Sequence, residues 1–309
     1  MAPSTPHLWD WRGHRIGWIQ EGSPDDPSAV VLIHGFGASA RHWRHNIPVL
    51  AEAAEVFAID LLGFGSSAKP PSRLQGEIPR PGSVRYGFAL WAELVADFVA
   101  EHVCMGFPER KVHLIGNSIG GIVALATAKL MSERGHPPQQ VILIDCAQRT
   151  LDEKRVAELP LLQQLTRPLL KRMVRQRWLT TSLFQFLARP PYIRRVLAVA
   201  YPTGANVDEE LVDLLYQPSK DPGAPESFRG FVNLFSDVLA PDLLAELPVT
   251  VRMIWGSRDP WESTQEAQRW KREFSSIREL KVVEGLGHCP HDEAPEKVNP
   301  ILLEWLEAN

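Results

Sequence analysis

Short runs of apolar residues, many of them β-branched, recur along the chain and alternate with longer helix-like segments. The runs occupy residues 29–33, 56–60, 111–115, 141–145, 249–255 and 279–283. Near-continuous apolar runs of this length are typical of strands that are buried on both faces. Their alternation with helical segments predicts an α/β fold in which a mostly parallel central sheet is flanked by helices. A hairpin of two further strands is predicted ahead of it, at residues 8–11 and 16–19.

The alternation stops after Cys146 and resumes only at residue 249. The intervening stretch contains prolines and helix-like segments but no clear buried strand, which indicates a helical insertion after the sixth strand. Such an insertion most simply covers the carboxyl edge of the sheet, where open α/β sheets bind their ligands. We therefore predict a core formed by residues 1–148 and 243–309, and a helical cap, or lid, formed by residues 149–242.

Local patterns add three expectations between the strands. Helices are predicted over about residues 41–51 and 88–104, and a closing helix follows the last strand. Residues 69–83 are rich in Pro, Gly and Arg, which predicts a loop. Asp292 precedes the closing helix and is predicted to cap it, because a short carboxylate commonly accepts hydrogen bonds from first-turn N–H groups.

Composition and charge limit the partners that this chain can have. Of its 309 residues 44% are hydrophobic, which suffices for a large core, and the net charge of −4 argues against a nucleic-acid partner. Cys104, Cys146 and Cys289 are too few and too scattered for a disulfide framework or a metal site, and we expect buried or incidental thiols. The sequence shows neither a secretory signal pattern nor a run of about 18 apolar residues, so we expect a protein that is not secreted.

A G-x-S-x-G pentapeptide occupies residues 116–120, between the apolar run 111–115 and a helix-like run over 121–130. A serine on a sharp strand-to-helix turn is lifted clear of the sheet, and the flanking glycines allow the backbone to bend. Ser118 is therefore a candidate nucleophile.

A serine hydroxyl needs a base within hydrogen-bond reach, and the base needs a carboxylate that orients it. Asp259 and His288 supply these residue types, and each follows the end of a predicted strand. The chain order Ser118, Asp259, His288 is also the order expected for a serine nucleophile on this type of sheet. We predict that these three residues form a catalytic triad.

Attack on a carbonyl places negative charge on its oxygen, which requires fixed hydrogen-bond donors. The backbone N–H groups of Phe36 and Ile119 are the predicted donors, since one lies in the loop after the third strand and the other follows the nucleophile. His34 is interpreted as a structural loop residue, and Asp60 as the residue that holds the turn after its strand. No metal ion or organic cofactor is required by this chemistry.

Together these motifs resemble the α/β-hydrolase superfamily across nearly the whole chain. The matching segments are residues 34–37 (His-Gly-Phe-Gly), 60–67 (Asp-Leu-Leu-Gly-Phe-Gly-Ser-Ser), 116–120, 255–259 and 287–288. The resemblance implies the α/β-hydrolase fold and a catalytic serine, acid and histidine at Ser118, Asp259 and His288. Haloalkane dehalogenases and epoxide hydrolases of this superfamily have an aspartate nucleophile, so the serine at this position argues against those activities.

A narrower resemblance is to the phytyl-esterase group of plants and cyanobacteria, which includes pheophytinase and chlorophyll dephytylase. It rests on residues 116–121, on Asp-Pro-Trp at 259–261 and on Gly-His-Cys-Pro-His-Asp-Glu at 287–293. The resemblance implies a serine esterase that acts on a hydrophobic small-molecule ester, the phytyl ester of chlorophyll or pheophytin. It also implies a location in the cytoplasm or plastid stroma, peripheral to a thylakoid-type membrane.

Other functions stay open at this point. Asn117 beside the serine, together with a helical cap, also occurs in carbon–carbon bond hydrolases of ring-cleavage products. A general carboxylesterase or lipase of another substrate is a second alternative. A ligand-binding receptor or scaffold built on a hydrolase fold is the alternative from another class of protein.

The predicted cap is unusually basic. From residue 149 to residue 195 it carries eleven Lys and Arg residues against three Asp and Glu, a local net charge of about +8 in an acidic chain. Leucine, phenylalanine and tryptophan residues are interleaved with these cations. A basic amphipathic segment of this kind can lie on an anionic membrane surface. The alternative is a cap whose apolar side covers the active site and whose basic side is solvated.

Overall fold

The structure, a computed structural model, describes residues 6–308. Its strands are β1 (His7–Trp11), β2 (His14–Glu21), β3 (Ser28–Ile33), β4 (Glu55–Ile59), β5 (Lys111–Asn117), β6 (Gln140–Ile144), β7 (Thr250–Gly256) and β8 (Ile277–Val283). They form one sheet in the order β1-β2-β4-β3-β5-β6-β7-β8. All neighbours from β4 to β8 are parallel, whereas the hairpin β1–β2 joins β4 in antiparallel fashion. The predicted mostly parallel α/β sheet and its leading hairpin are confirmed.

The carboxyl ends of the central strands lie in register. Ile33 of β3 pairs with Gly116 of β5, and Ile144 of β6 pairs with both Asn117 of β5 and Ile254 of β7. Because parallel strands all end at the same edge, the loops that follow β3, β5, β6, β7 and β8 converge there.

Helices connect the strands and cover the sheet. They are α1 (Ile47–Leu50), α2 (Phe88–Phe98), α3 (Ile119–Glu133), α4 (Leu161–Arg175), α5 (Arg177–Leu187), α6 (Pro190–Ala200), α7 (Glu209–Tyr216), α8 (Ala224–Val232), α9 (Ala240–Leu244), α10 (Thr264–Glu273), α11 (Pro290–Glu293) and α12 (Pro295–Glu307). Short 3₁₀ segments lie at Ala40–Trp43, Glu153–Glu158 and Gln217–Lys220.

The continuous helix predicted over residues 41–51 is wrong. The segment forms a 3₁₀ turn, Ala40–Trp43, followed by the single-turn helix α1. Pro48 lies in the first turn of α1, where its missing N–H and its ring prevent a helix from running through from residue 44. The helix predicted over 88–104 is α2 extended by a π-helical turn, Val99–Val103.

Apolar side chains cover both faces of the sheet. On one face Trp91 and Phe98 of α2 and Ile122 of α3 are completely buried. On the other face Trp43 and Trp305 of α12 are buried against the strands. Burying each large apolar side chain contributes about 2 kcal/mol relative to leaving it in water. The two layers hold the sheet edge, and the loops on it, in a fixed position.

The helices α4 to α8, which follow β6, form the cap over the carboxyl edge of the sheet. Arg44 of the core binds the segment of the cap between α6 and α7. Its Nε donates to Oδ1 of Asp292 at 3.0 Å, while its terminal nitrogens donate to a carboxylate oxygen of Asp208 and to the carbonyl of Asn206, both at 2.9 Å. This guanidinium therefore joins the chain before α1, the cap and the segment before α12.

Tyr201 completes the same polar cluster. Its hydroxyl donates to Oδ2 of Asp292 at 2.9 Å and lies 2.8 Å from Nε2 of His42. Burial lowers the pKa of His42 to about 4, so this imidazole is neutral near pH 7. The prediction that Asp292 caps the closing helix is wrong, because its side chain is completely buried and bound by Arg44 and Tyr201. The residue before α12 is Ala294.

Within residues 6–308, no helix combines the length and the apolar character needed to cross a bilayer.

Candidate active site

Ser118 lies in the turn between β5 and α3 with φ of 55° and ψ of −122°, a conformation that residues with side chains rarely adopt. Its N–H donates to the carbonyl of Ile144 at 2.9 Å. Its carbonyl accepts from the N–H groups of Gly121 at 3.0 Å and Ala147 at 3.1 Å. Such strain persists only where the surroundings fix it, and it concentrates at functional sites. The predicted nucleophile therefore occupies a strained, well-anchored turn.

The glycines that flank Ser118 are required by close contacts. A Cβ atom at Gly116 would lie 2.2 Å from the carbonyl oxygen of Gly120. A Cβ atom at Gly120 would lie 2.3 Å from the carbonyl oxygen of Ile33. Neither position can hold a larger residue unless backbone moves, so both glycines allow α3 to start directly against the ends of β3 and β5.

His288 and Asp259 come together although they follow different strands. Nδ1 of His288 lies 2.8 Å from Oδ2 of Asp259, and the Asp259 side chain is fully buried. Its other oxygen accepts from the backbone N–H groups of Trp261 at 2.8 Å and Glu262 at 3.1 Å. Burial raises the pKa of Asp259, but the hydrogen bond and charge of His288, together with the neighbouring Asp145 and the N–H of Trp261, hold this pKa below its usual value. The carboxylate is therefore ionised and orients the imidazole.

The backbone of His288 is held by the cap and by the nucleophile strand. Its N–H donates to the carbonyl of Ala200 at 2.9 Å, and its carbonyl accepts from Nδ2 of Asn117 at 3.1 Å. The ring of Trp261 lies edge-on to the imidazole, with 4.8 Å between centroids. Among residues 6–308, neither Nε2 of His288 nor the hydroxyl of Ser118 has a hydrogen-bond partner, but both residues line one cavity.

Phe36 and Ile119, whose N–H groups are the predicted donors to the carbonyl oxygen, line the same cavity as Ser118. Within the described residues neither N–H has a hydrogen-bond acceptor. Ile119 is the first residue of α3, so its N–H has no partner inside the helix. A Cβ atom at Gly35 would lie 3.2 Å from the Cβ of Ser118, which shows how closely the loop that carries Phe36 approaches Ser118.

The cavity that contains Ser118 and His288 has a volume of about 810 Å³. Its cap side is lined mainly by apolar residues such as Leu170, Val174 and Leu197. A second cavity of about 530 Å³ adjoins it, and the two share Phe36 and Trp261 in their linings. This second cavity lies between the loop after β3 and helices α5 to α8, with an almost wholly apolar surface. The site therefore places Ser118 beside a large apolar space.

Two acidic residues of the site were missed by the sequence analysis. Asp145 directly follows β6 and Asp259 comes three residues after β7, so its place just beyond a strand end could have identified it. It is completely buried, and its Oδ1 accepts from the N–H of Gly256 at 2.9 Å. Burial and the negative charge of Asp259 raise the pKa of Asp145 well above its usual value. The neutral form of Asp145 is therefore favoured beside the ionised Asp259.

Glu262 is the other. Its Oε2 accepts from the N–H of Gln148 at 2.8 Å, and its side chain lines the cavity that contains Ser118. Burial raises the pKa of Glu262 to about 7. Nothing in the local sequence pattern distinguishes it from a surface glutamate, because its burial depends on the distant loop after β6.

Three neighbouring polar residues have structural roles. Both ring nitrogens of His34 are hydrogen-bonded to backbone groups. Nδ1 lies 2.7 Å from the carbonyl oxygen of Gly35, and Nε2 accepts from the N–H of Leu61. Asp60 accepts from the N–H and hydroxyl of Ser66, each at 2.7 Å, and so holds the turn after β4. Both interpretations from the sequence are confirmed. Asn117 uses its Nδ2 for backbone carbonyls.

Comparison with known proteins gives a family match over most of the chain. Residues 30–301 match the profile of the "Alpha/beta hydrolase family". The chain is 25% identical to "Pheophytinase, chloroplastic" of Arabidopsis thaliana, in an alignment that covers 91% of this chain and 62% of that protein. The chain thus spans less than two thirds of that relative.

Two other similarities cover nearly the whole length of this chain. It is 24% identical to "(Lyso)-N-acylphosphatidylethanolamine lipase" of Mus musculus, over 93% of this chain and 82% of that protein. The solved structure of "Epoxide hydrolase CorEH without ligand" superposes with a TM-score of 0.77 at 22% identity, covering 98% of this chain and 99% of that one. This structural similarity concerns the fold alone.

Proposed function

Because the chain belongs to the α/β-hydrolase family, we propose that it is a serine esterase whose nucleophile is Ser118. The observation that carries the proposal is one arrangement of three residues. A serine in a strained turn shares a cavity with an imidazole, and that imidazole is hydrogen-bonded to a buried, ionised aspartate. These are the parts that turn a weakly nucleophilic hydroxyl into an attacking group.

In the proposed reaction, Nε2 of His288 takes the proton of Ser118 as its oxygen attacks the ester carbonyl. Asp259 keeps the imidazole in the tautomer with hydrogen on Nδ1 and stabilises the imidazolium that forms. The imidazolium then donates its proton to the departing alkoxide, which leaves as an alcohol. Water, deprotonated by the same histidine, attacks the acyl-enzyme and releases the acid.

In the tetrahedral intermediate, the N–H groups of Phe36 and Ile119 donate hydrogen bonds to the negatively charged oxygen and stabilise it. Fixed backbone donors cost no reorganisation when charge develops, and removing one such donor typically costs about 10²-fold or more in rate. The N–H of Ile119 also stands at the positive end of the α3 dipole, which favours an anion there.

The proposed substrate is a hydrophobic carboxylic ester, and we single out the phytyl ester of chlorophyll or pheophytin. Support comes from the apolar cavity beside the reactive serine and from similarity to the Arabidopsis thaliana pheophytinase. A branched hydrocarbon chain fits an apolar space of about 530 Å³, while a larger group would occupy the cavity at Ser118. Residues 149–242 would act as the lid, and the enzyme would work in the cytoplasm or plastid stroma beside a pigment-bearing membrane.

The test is incubation with chlorophyll a and pheophytin a, with free phytol measured by chromatography. Ser118→Ala, checked for folding by circular dichroism, is the matched control. Release of phytol by the parent alone supports the full proposal. Turnover of simple esters without phytol release would keep the serine esterase and remove the pigment. Turnover of vinylogous diketones instead of esters would indicate carbon–carbon bond hydrolysis.

A further inference from the structure

Helix α4 is amphipathic, and its apolar side faces outward. Leu161, Leu165 and Leu169 recur every fourth residue along one side and are 77%, 78% and 62% exposed. Arg167, on the opposite side, is buried, with its guanidinium 5.2 Å from the ring centroid of Phe235. The usual arrangement places the apolar side toward the core and the charged side in water. In α4 these leucines are exposed while Arg167 is buried, which contradicts the alternative that these leucines cover the active site.

The exposed apolar surface continues beyond α4 and reaches both cavities. Trp178, at the start of α5, is 70% exposed. Leu170 of α4 is half-exposed and also lines the cavity of Ser118. Val196 and Val199 of α6 are half-exposed and line the apolar cavity. Contiguous exposed apolar surface of this kind marks an interaction site.

The charge of this part of the cap identifies the kind of partner. Residues 159–207 contain eight Lys and Arg residues and no Asp or Glu, although the chain as a whole is acidic. Arg172, Arg189 and Arg195 are exposed and form no ion pair with a carboxylate of residues 6–308. Cations beside exposed leucines and a tryptophan complement the anionic headgroups and apolar interior of a lipid bilayer.

A second copy of the chain fits this surface less well. Two such faces brought together about a two-fold axis would place unpaired arginines against one another, and like charges disfavour that contact. A lipid surface satisfies both the leucines and the arginines.

We propose that the outward face of α4, with Trp178, docks on an anionic lipid bilayer and that the substrate reaches the cavities from the membrane. The docking itself does not depend on the reaction; delivery of substrate rests on the proposed esterase function. The exposed residues of α4 lie in the interface between headgroups and acyl chains, and the half-exposed residues of α4 and α6 connect that interface to the site.

Docking is tested by flotation with two kinds of vesicle, phosphatidylcholine alone and phosphatidylcholine mixed with an equal amount of phosphatidylglycerol. The Ser118→Ala protein is used alongside the parent, so that binding is measured apart from turnover. We expect both proteins to float with the anionic vesicles and to dissociate at high salt. Each cation removed, as in Arg172→Gln and Arg189→Gln, is expected to weaken binding about fivefold.

The triple variant Leu161→Ser, Leu165→Ser, Leu169→Ser is expected to stay in the bottom fraction of the gradient. In a separate assay, it is expected to hydrolyse a water-soluble short-chain ester at the parental rate. Its matched control is Leu8→Ser with Met105→Ser, two apolar residues that are 60% and 73% exposed outside the cap. The control is expected to float like the parent.

Failure of the parent to float with anionic vesicles at low salt would overturn the proposal. A dimer in sedimentation velocity that the triple leucine variant abolishes, without vesicle binding, would also overturn it and assign the face to a second copy. Vesicle binding without hydrolysis of any ester would uphold the docking surface and reject the proposed function.

Discussion

Nδ1 of His288 lies 2.8 Å from Oδ2 of Asp259, and these two residues come from the loops that follow the neighbouring strands β7 and β8. We predict that Asp259→Asn lowers kcat for ester hydrolysis by about 10³- to 10⁴-fold, because an amide no longer selects the tautomer with hydrogen on Nδ1 or stabilises the imidazolium. Steady-state hydrolysis of a chromogenic ester measures the effect.

Asp145→Asn is the matched control. Burial and the charge of Asp259 raise the pKa of Asp145 and so favour its neutral form, and asparagine preserves both its shape and its acceptor for the N–H of Gly256. We expect kcat within about tenfold of the parent. A loss from Asp145→Asn as large as that from Asp259→Asn would reverse the assignment of the two acids.

The stability of the protein is expected to fall as pH rises toward 7 because of Glu262. Burial raises its pKa from 4.5 to about 7, so over this range the folded protein keeps a proton that the unfolded chain has released. By linkage, the unfolded state then binds fewer protons, and the free energy of unfolding decreases by about 3 kcal/mol in total from this group.

Glu262→Gln should remove that decrease, measured by urea denaturation at pH 5 and pH 8. The exposed Glu296→Gln serves as the control and is expected to follow the parent. An unchanged pH dependence in Glu262→Gln would show that Glu262 titrates at its ordinary pKa.

Tyr201→Phe is predicted to lower the free energy of unfolding by about 1–3 kcal/mol. Removing the hydroxyl leaves Oδ2 of the buried Asp292 without its donor, and an unsatisfied buried acceptor carries a full desolvation cost. Urea denaturation provides the measurement. Tyr192→Phe is the control, since within residues 6–308 the Tyr192 hydroxyl forms no hydrogen bond; equal losses in both variants would contradict the role of the cluster.

The apolar cavity is predicted to set the preference for chain length. For the parent, kcat/KM should rise with ester chain length by up to about fourfold per methylene, since each buried CH₂ contributes about 0.8 kcal/mol. Ala188→Trp, which places a large ring in this cavity, should flatten the rise and leave the methyl ester unaffected. Ala205→Trp, on an exposed loop, should behave as the parent. A series of esters of one acid, with the alkyl chain of the alcohol lengthened stepwise from methyl, tests this, and a steep rise retained in Ala188→Trp would place the chain elsewhere.

Much of the core could be predicted because its strands are buried on both faces and therefore read as apolar runs. β3 and β6, for example, lie within one residue of their predicted positions at 29–33 and 141–145. Ser118 was found because close backbone contacts require the glycines beside it, with Gly120 for Gly116 and with Ile33 for Gly120, so that the turn leaves a pattern in the sequence.

Features that depend on distant partners could not be predicted. Asp292 resembles a helix cap in sequence, but its partners Arg44 and Tyr201 lie 248 and 91 residues away. The periodicity of α4 indicates an amphipathic helix, yet periodicity does not say which side faces the protein. Asp145 and Glu262 acquire their raised pKa values from burial that only the assembled loops create.

β6 and β7 are hydrogen-bonded neighbours, although residues 145–249 separate them in the chain. As the ribosome releases the polypeptide from its amino end, the strand before Ser118 can join β3 and β4 long before β7 and β8 emerge. The serine thus exists for some time in a nascent chain that lacks both Asp259 and His288. In the growing polypeptide, the hydroxyl of Ser118 therefore has no imidazole to take its proton. The proposed esterase activity would arise only after translation has passed β8.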